Sequence, residues 1–118
     1  MNTVATILIT IVALLHIYFL ILEMFLWDKP FGIRTFGHSR EAAAASKVLA
    51  MNQGLYNGFL ATGLLWGLLT PEAGHAILIF FLSCIIIAGI FGGLTANRKI
   101  LLFQAAPAAL ALTFLLVA

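Results

Sequence analysis

The sequence predicts an all-α integral membrane bundle of four transmembrane helices, and three observations lead to it. The 118 residues are 64% hydrophobic and only 8% charged, where a soluble domain carries about 25% charged residues. The apolar residues gather in four stretches, roughly 3–26, 47–69, 75–94 and 100–118. Each has about 18–24 residues, enough at ~1.5 Å rise per residue to cross a hydrocarbon core ~30 Å thick. The six Lys and Arg lie in or beside only two of the three connections, a bias that orients membrane helices.

The first stretch, Thr3 to Leu26, stops where Asp28-Lys29-Pro30 combines charge with a residue that lacks a backbone donor. A connection over 27–46 follows. Its early part alternates aromatic and basic residues around glycines (Phe31, Gly32, Arg34, Phe36, Gly37), a pattern suited to the headgroup layer. Ser39 is placed to cap Arg40-Glu41 and the alanines after them, so the second helix should begin before its apolar stretch and run on into it. Thr70-Pro71-Glu72-Ala73-Gly74 predicts a tight turn, and Thr95 to Lys99 separates the last two helices.

Lys29, Arg34, Arg40 and Lys47 mark the first connection and Arg98 and Lys99 the third, whereas the second connection and both ends have none. Connections one and three are therefore expected in the cytoplasm and both termini outside. The length suits one membrane domain over 1–118. The start Met1-Asn2-Thr3 has no basic region, and its apolar run is too long for a cleaved signal peptide. One cysteine, Cys84, permits no internal disulfide. A net charge of +2 whose carriers flank membrane segments gives no case for nucleic acid.

Within these stretches, ionisable and amide side chains stand out because they are costly in lipid. Glu23 lies in the first stretch, seven residues after His16, and a charged group there costs roughly 2.5–3.5 kcal/mol on insertion scales. Counted inward from the cytoplasmic ends, Glu23, Asn52, Gln53 and Gln104 lie ~6–9 Å deep, and His16, Tyr56, Asn57, Ser83 and Cys84 lie ~14–18 Å deep. His16 and Glu23 share a helix face, and Asn52, Gln53, Tyr56 and Asn57 fall within an arc of ~140°. The two polar stripes are expected to face each other, since exposed carboxamides would be unpaired in lipid.

Asn, Gln and Tyr between membrane helices commonly serve as glue, at an average of ~0.6 kcal/mol per bond. A carboxyl is not needed for that, which singles out Glu23. His16 and Glu23 are ~10 Å apart along the axis, so they form no direct dyad. They are candidate catalytic groups at two ends of a small ligand, with Asn52, Gln53, Tyr56, Asn57 and Gln104 as candidate ligand-binding groups. The residues predict no metal site and imply no cofactor. Gly54-x-x-x-Gly58, Gly63-x-x-x-Gly67 and Gly89-x-x-x-Gly93 suit close helix packing, and Pro107 should kink the fourth helix.

His16, Glu23-Met24-Phe25, Phe36, the segment Asn52-Gln53-Gly54-Leu55-Tyr56-Asn57-Gly58-Phe59-Leu60-Ala61, and Gln104 with Pro107 together resemble a family of small bacterial and fungal membrane proteins, domain of unknown function 1304. The resemblance spans nearly the whole chain. It implies a four-helix membrane protein and little more. The expected location is the plasma (inner) membrane of a bacterial cell, as a multi-pass protein. Small multidrug resistance transporters are similar in length, helix number and a glutamate in helix one, but lack this sequence around it.

Three functions are compatible with these residues. The leading one is a cytosol-facing intramembrane pocket that binds, and transforms if it is an enzyme, a small lipophilic molecule. Glu23 would exchange the proton and His16 would lie at the floor. The alternatives are proton-coupled transport by a homo-oligomer and a non-catalytic membrane assembly role.

Overall fold

The computed structural model of the chain describes residues 1–117. Among these it is all-helical: α1 (Thr3–Met24), α2 (Pro30–Phe36), α3 (Arg40–Leu69), α4 (Gly74–Thr95), a π-helical turn (Leu101–Ala105) and α5 (Ala106–Leu116). Two helices, Thr3–Met24 and Gly74–Thr95, are long and apolar enough to cross a membrane, and Leu101–Leu116 is a shorter apolar stretch. The 30-residue α3 is long enough but not apolar enough, because Asn52, Gln53 and Asn57 interrupt it.

Two boundaries differ from the sequence reading, and the expected start of the second helix holds. The connection over 27–46 is itself mostly helical, since α2 occupies 30–36 and α3 begins at Arg40. Pro30 stands in the first turn of α2, where its missing N–H costs nothing. Ser39 does cap α3: its Oγ accepts the Ala42 N–H at 3.1 Å, so α3 runs unbroken to Leu69. The last stretch divides into a π-helical turn and α5, and the Ala106 N–H reaches back to the Leu101 carbonyl. That widened turn lies directly ahead of Pro107 and relieves the clash its ring would make in a regular helix.

The chain forms two compact units, Leu15–Phe59 and Met1–Leu14 together with the chain from Leu60 onward. The second of these holds the main apolar core. Ala5, Ile9 and Val12 of α1, Leu78, Leu82 and Ile85 of α4, and Ala108, Ala111 and Leu115 of α5 are all buried. Each set recurs at three- and four-residue spacing, the period of one helix face. Gly89 makes a close backbone approach in this unit that a side chain would block. A Cβ there would sit 2.6 Å from the backbone nitrogen of Ala105, so α4 lies against the π-helical turn backbone to backbone. Thr10, Thr70, Thr95 and Thr113 each donate to the carbonyl four residues earlier, so their hydroxyls are satisfied within their own helices.

The unit Leu15–Phe59 is organised at one end by aromatic rings. Trp27 lies 4.7 Å from Phe36 and 4.4 Å from His38, between ring centroids. Phe36 and His38 stack at 5.6 Å. Trp27 Nε1 donates to Ser46 Oγ at 3.0 Å, and Ser46 Oγ donates to the Ala42 carbonyl. These contacts join the Trp27 ring to the end of α2 on one side and to the first turns of α3 on the other. The chain leaves α2 through Gly37 at φ 73°, the left-handed conformation that favours glycine. Beside the rings, Lys47 Nζ lies 3.1 Å from Asp28 Oδ2, and this bond holds the Asp28 carboxyl below its ordinary value of 3.8.

Two outcomes follow from this packing. Gly89→Ala should destabilise the protein by about 1–3 kcal/mol, the range for overpacking a tight interior, read as a lowered midpoint of thermal unfolding in detergent. Asp28 is more acidic folded than unfolded, so its contribution is present above pH 3.8 and fades as pH falls below it. The melting temperatures of the wild type and Asp28→Asn should therefore differ slightly at neutral pH and converge under acid.

Candidate functional site

The candidate site lies within the unit Leu15–Phe59, where the later part of α1 meets α3. Small residues create the seam. Gly54 is buried, and a Cβ on it would lie 2.6 Å from Met24 Cγ and 3.1 Å from Glu23 Cβ. One turn on, a Cβ on Gly58 would lie 2.7 Å from Leu20 Cδ1. Ala43 and Ala50 are buried as well. With so little side chain between them the helix backbones come close, and a short polar side chain on one can reach the other.

Asn57 makes that reach. Its Nδ2 donates to Glu23 Oε1 across 34 residues of sequence. Asn57 is 7% exposed and Glu23 is half-buried. The bond uses one carboxyl oxygen; Oε2 accepts no hydrogen bond from any described residue. A carboxyl thus stands in a largely apolar helix with one oxygen held and the other available. His16, two turns earlier on α1, is fully buried and meets the edge of Phe19 with ring centroids 5.4 Å apart.

The rest of the predicted polar set is arranged differently. Asn52 and Tyr56 pair with each other, Asn52 Nδ2 to Tyr56 Oη at 3.3 Å, on an exposed part of α3. Gln53 is exposed beside them. The two stripes therefore do not meet along their length, because only the Asn57 edge of the α3 arc turns toward α1. The physical reason is the seam itself: Gly54 and Gly58 pack best, and at 100° per residue Gly54 lies ~160° around α3 from Asn52. Gln104 belongs to the other unit, half-buried in the π-helical turn. Ser83 and Cys84 are half-buried on α4, also in that unit.

Among the described residues, no three His, Cys, Asp or Glu side chains gather where they would hold a metal ion. A cleft of 470 Å³ at the end of α4 is lined by Gly93, Thr95, Asn97, Arg98 and Leu101, among others. Sequence reasoning missed both this cleft and the Trp27–Phe36–His38 cluster, in which His38 Nε2 is buried without a hydrogen-bond partner. Neither motif nor period marks them; the cluster needs Trp27 brought against Phe36, His38 and Ser46, which no local pattern announces.

Over residues 10–116 the chain matches the family described as "Protein of unknown function (DUF1304)". The chain belongs to this family. It is 36% identical to "Uncharacterized protein YpaA" of Lactococcus lactis subsp. lactis (strain IL1403), over 93% of this chain and 95% of that protein. No solved structure matches. The family resemblance read from the sequence thus holds over nearly the full length.

Removing the Asn57 donor leaves both Glu23 oxygens without a protein partner. Asn57→Ala should cost about 1–2 kcal/mol, within the range for a hydrogen bond to a carboxyl that is only partly screened. Thermal unfolding in detergent measures it, with Asn52→Ala on the exposed pair as the weaker comparison.

Proposed function

We propose that this protein is a multi-pass membrane protein of four spans whose Glu23–Asn57 site holds the polar end of a small lipophilic molecule. On this reading α1, the apolar part of α3, α4 and the π-helical turn with α5 cross the bilayer. Both termini lie outside, connections one and three lie in the cytosol, and in a bacterial cell the membrane is the inner one. The apolar lengths of α1 and α4 and the placement of the six Lys and Arg support it.

The observation that carries the functional part is the available Oε2 of Glu23, a half-buried carboxyl whose other oxygen Asn57 holds in place. Ionisable groups in apolar spans are rarely kept without a task. A carboxyl steadied at one oxygen can accept a hydrogen bond from a hydroxyl or amine of a ligand at the other, or exchange a proton with it. The apolar residues of α1 and α3 around it suit the ligand's hydrocarbon part. His16, buried two turns farther along α1, would close the deep end of such a site. Asn52, Gln53 and Tyr56 join this site only if α3 rotates, so the geometry favours Glu23 and Asn57 as its centre.

A second reading, a non-catalytic assembly role, draws on the exposed Asn52–Tyr56 pair. Proton-coupled transport by an oligomer remains the third.

Glu23→Gln separates the first reading from the second. The glutamine keeps an oxygen to accept from Asn57 but puts an amide donor where Oε2 stood. Protein purified in mild detergent should release a lipophilic compound on solvent extraction, and Glu23→Gln and Asn57→Leu should release several-fold less while staying folded. Equal yields from all three would overturn the pocket. Mass spectrometry of the extracts reads the result.

A further inference from the structure

We propose that the exposed polar face of α3, formed by Asn52, Gln53 and Tyr56, pairs with the same face of a second copy of this chain. The inference rests on the reading of α3 as a membrane span. It concerns residues that the Glu23–Asn57 site leaves unused.

Each of the three side chains is exposed, Tyr56 by 54%. Their neighbours on that side are large and apolar: Leu49, Leu55 and Phe59 are likewise exposed. Counted from Lys47, Asn52 and Tyr56 lie ~8 and ~14 Å along the helix. On the proposed topology that is below the headgroup layer, beyond the easy reach of water or lipid phosphates.

The bond from Asn52 to Tyr56 leaves much unsatisfied. It takes one Asn52 N–H and one lone pair of the Tyr56 oxygen. A second Asn52 N–H, the Asn52 carbonyl, the Tyr56 hydroxyl proton and the whole Gln53 carboxamide still need partners. Hydrocarbon offers none, and α1 packs on the opposite side of α3, against Gly54 and Gly58.

A second copy satisfies this face because the face is its own complement. It presents N–H and O–H donors together with carbonyl and hydroxyl acceptors, so a two-fold axis sets donors of one copy against acceptors of the other. No charge opposes the approach from this stretch of helix. Lys47 is the nearest, and it is turned toward Asp28, at 3.1 Å. Leu49 and Phe59 then pack above and below the polar pairs, as an apolar rim that keeps lipid out.

Cross-linking in native membranes tests the proposal. In a Cys84→Ser background, Leu49→Cys places one thiol on the proposed face, and Ile87→Cys places one on exposed α4 as a control. Mild oxidation with copper–phenanthroline should give a disulfide homodimer from Leu49→Cys and at least tenfold less from Ile87→Cys. Adding Asn52→Leu with Gln53→Leu should reduce the first to the level of the second. Tyr56→Phe, which deletes only the hydroxyl and is safe for folding, should reduce it partly. Glu23→Gln should leave it unchanged.

Monomer alone from Leu49→Cys, a cross-link to a different protein, equal dimer from both positions, or dimer indifferent to the stripe substitutions would each overturn the proposal. Alkaline carbonate extraction separates the two levels of inference. A chain washed off the membrane removes the membrane reading, and this proposal with it. A chain retained in the membrane but monomeric removes the dimer only.

Discussion

The close approach of α1 and α3 across Gly54 and Gly58 is the constraint on which the arrangement of polar groups depends. A side chain at Gly54 would meet Met24 and Glu23, and one at Gly58 would meet Leu20. Their absence brings the helices near enough for Asn57, a short side chain, to reach the Glu23 carboxyl. The same contact sets the rotation of α3, and rotation decides which polar residues are inside. Asn57 lies at the inner edge of the arc; Asn52 and Tyr56 lie at the outer edge and bond to each other.

That division matters because the two edges face different demands. At the inner edge, a carboxyl has one oxygen bonded to Asn57 and the other without a bond from any described residue. At the outer edge, carboxamides and a phenol stand among exposed leucines and phenylalanine. In water such a face is unremarkable. In a bilayer every unmet donor and acceptor costs several kcal/mol, so a span bearing this face calls for a partner. The proposed ligand site and the proposed dimer face thus draw on one helix, assigned by its orientation rather than by residue type.

The aromatic cluster beyond these helices has its own logic. Trp27, Phe36 and His38 turn a connection that is polar in sequence into a folded cap. The Trp27–Ser46 hydrogen bond and the Lys47–Asp28 pair fasten that cap to the first turns of α3. Ser39 starts α3 well before its apolar part, which gives the cap a rigid surface to dock on. Each component is weak, since exposed ion pairs contribute about 0–1 kcal/mol. Together they order 27–46 next to the end of α1 that carries Glu23.

The sequence by itself determined the all-helical class, the family, the helix start at Ser39 and the singular status of Glu23. All of these follow from local facts: composition, a capping side chain, a recognisable segment, and a carboxyl in an apolar run. Periodicity also placed Asn52, Gln53, Tyr56 and Asn57 on one side of one helix. It could not say which way that side faces, because a helical arc has no direction until a neighbour packs against it. Only the tertiary structure decided that the glycines face α1, that Asn57 alone follows them to Glu23, and that Trp27 joins the end of α2 to α3. It likewise showed the π-helical turn before Pro107, where sequence predicted only a kink. The packing outcomes come from steric contact between segments distant in the chain, which leaves no mark on either segment alone, while the widened turn is a local response to the Pro107 ring.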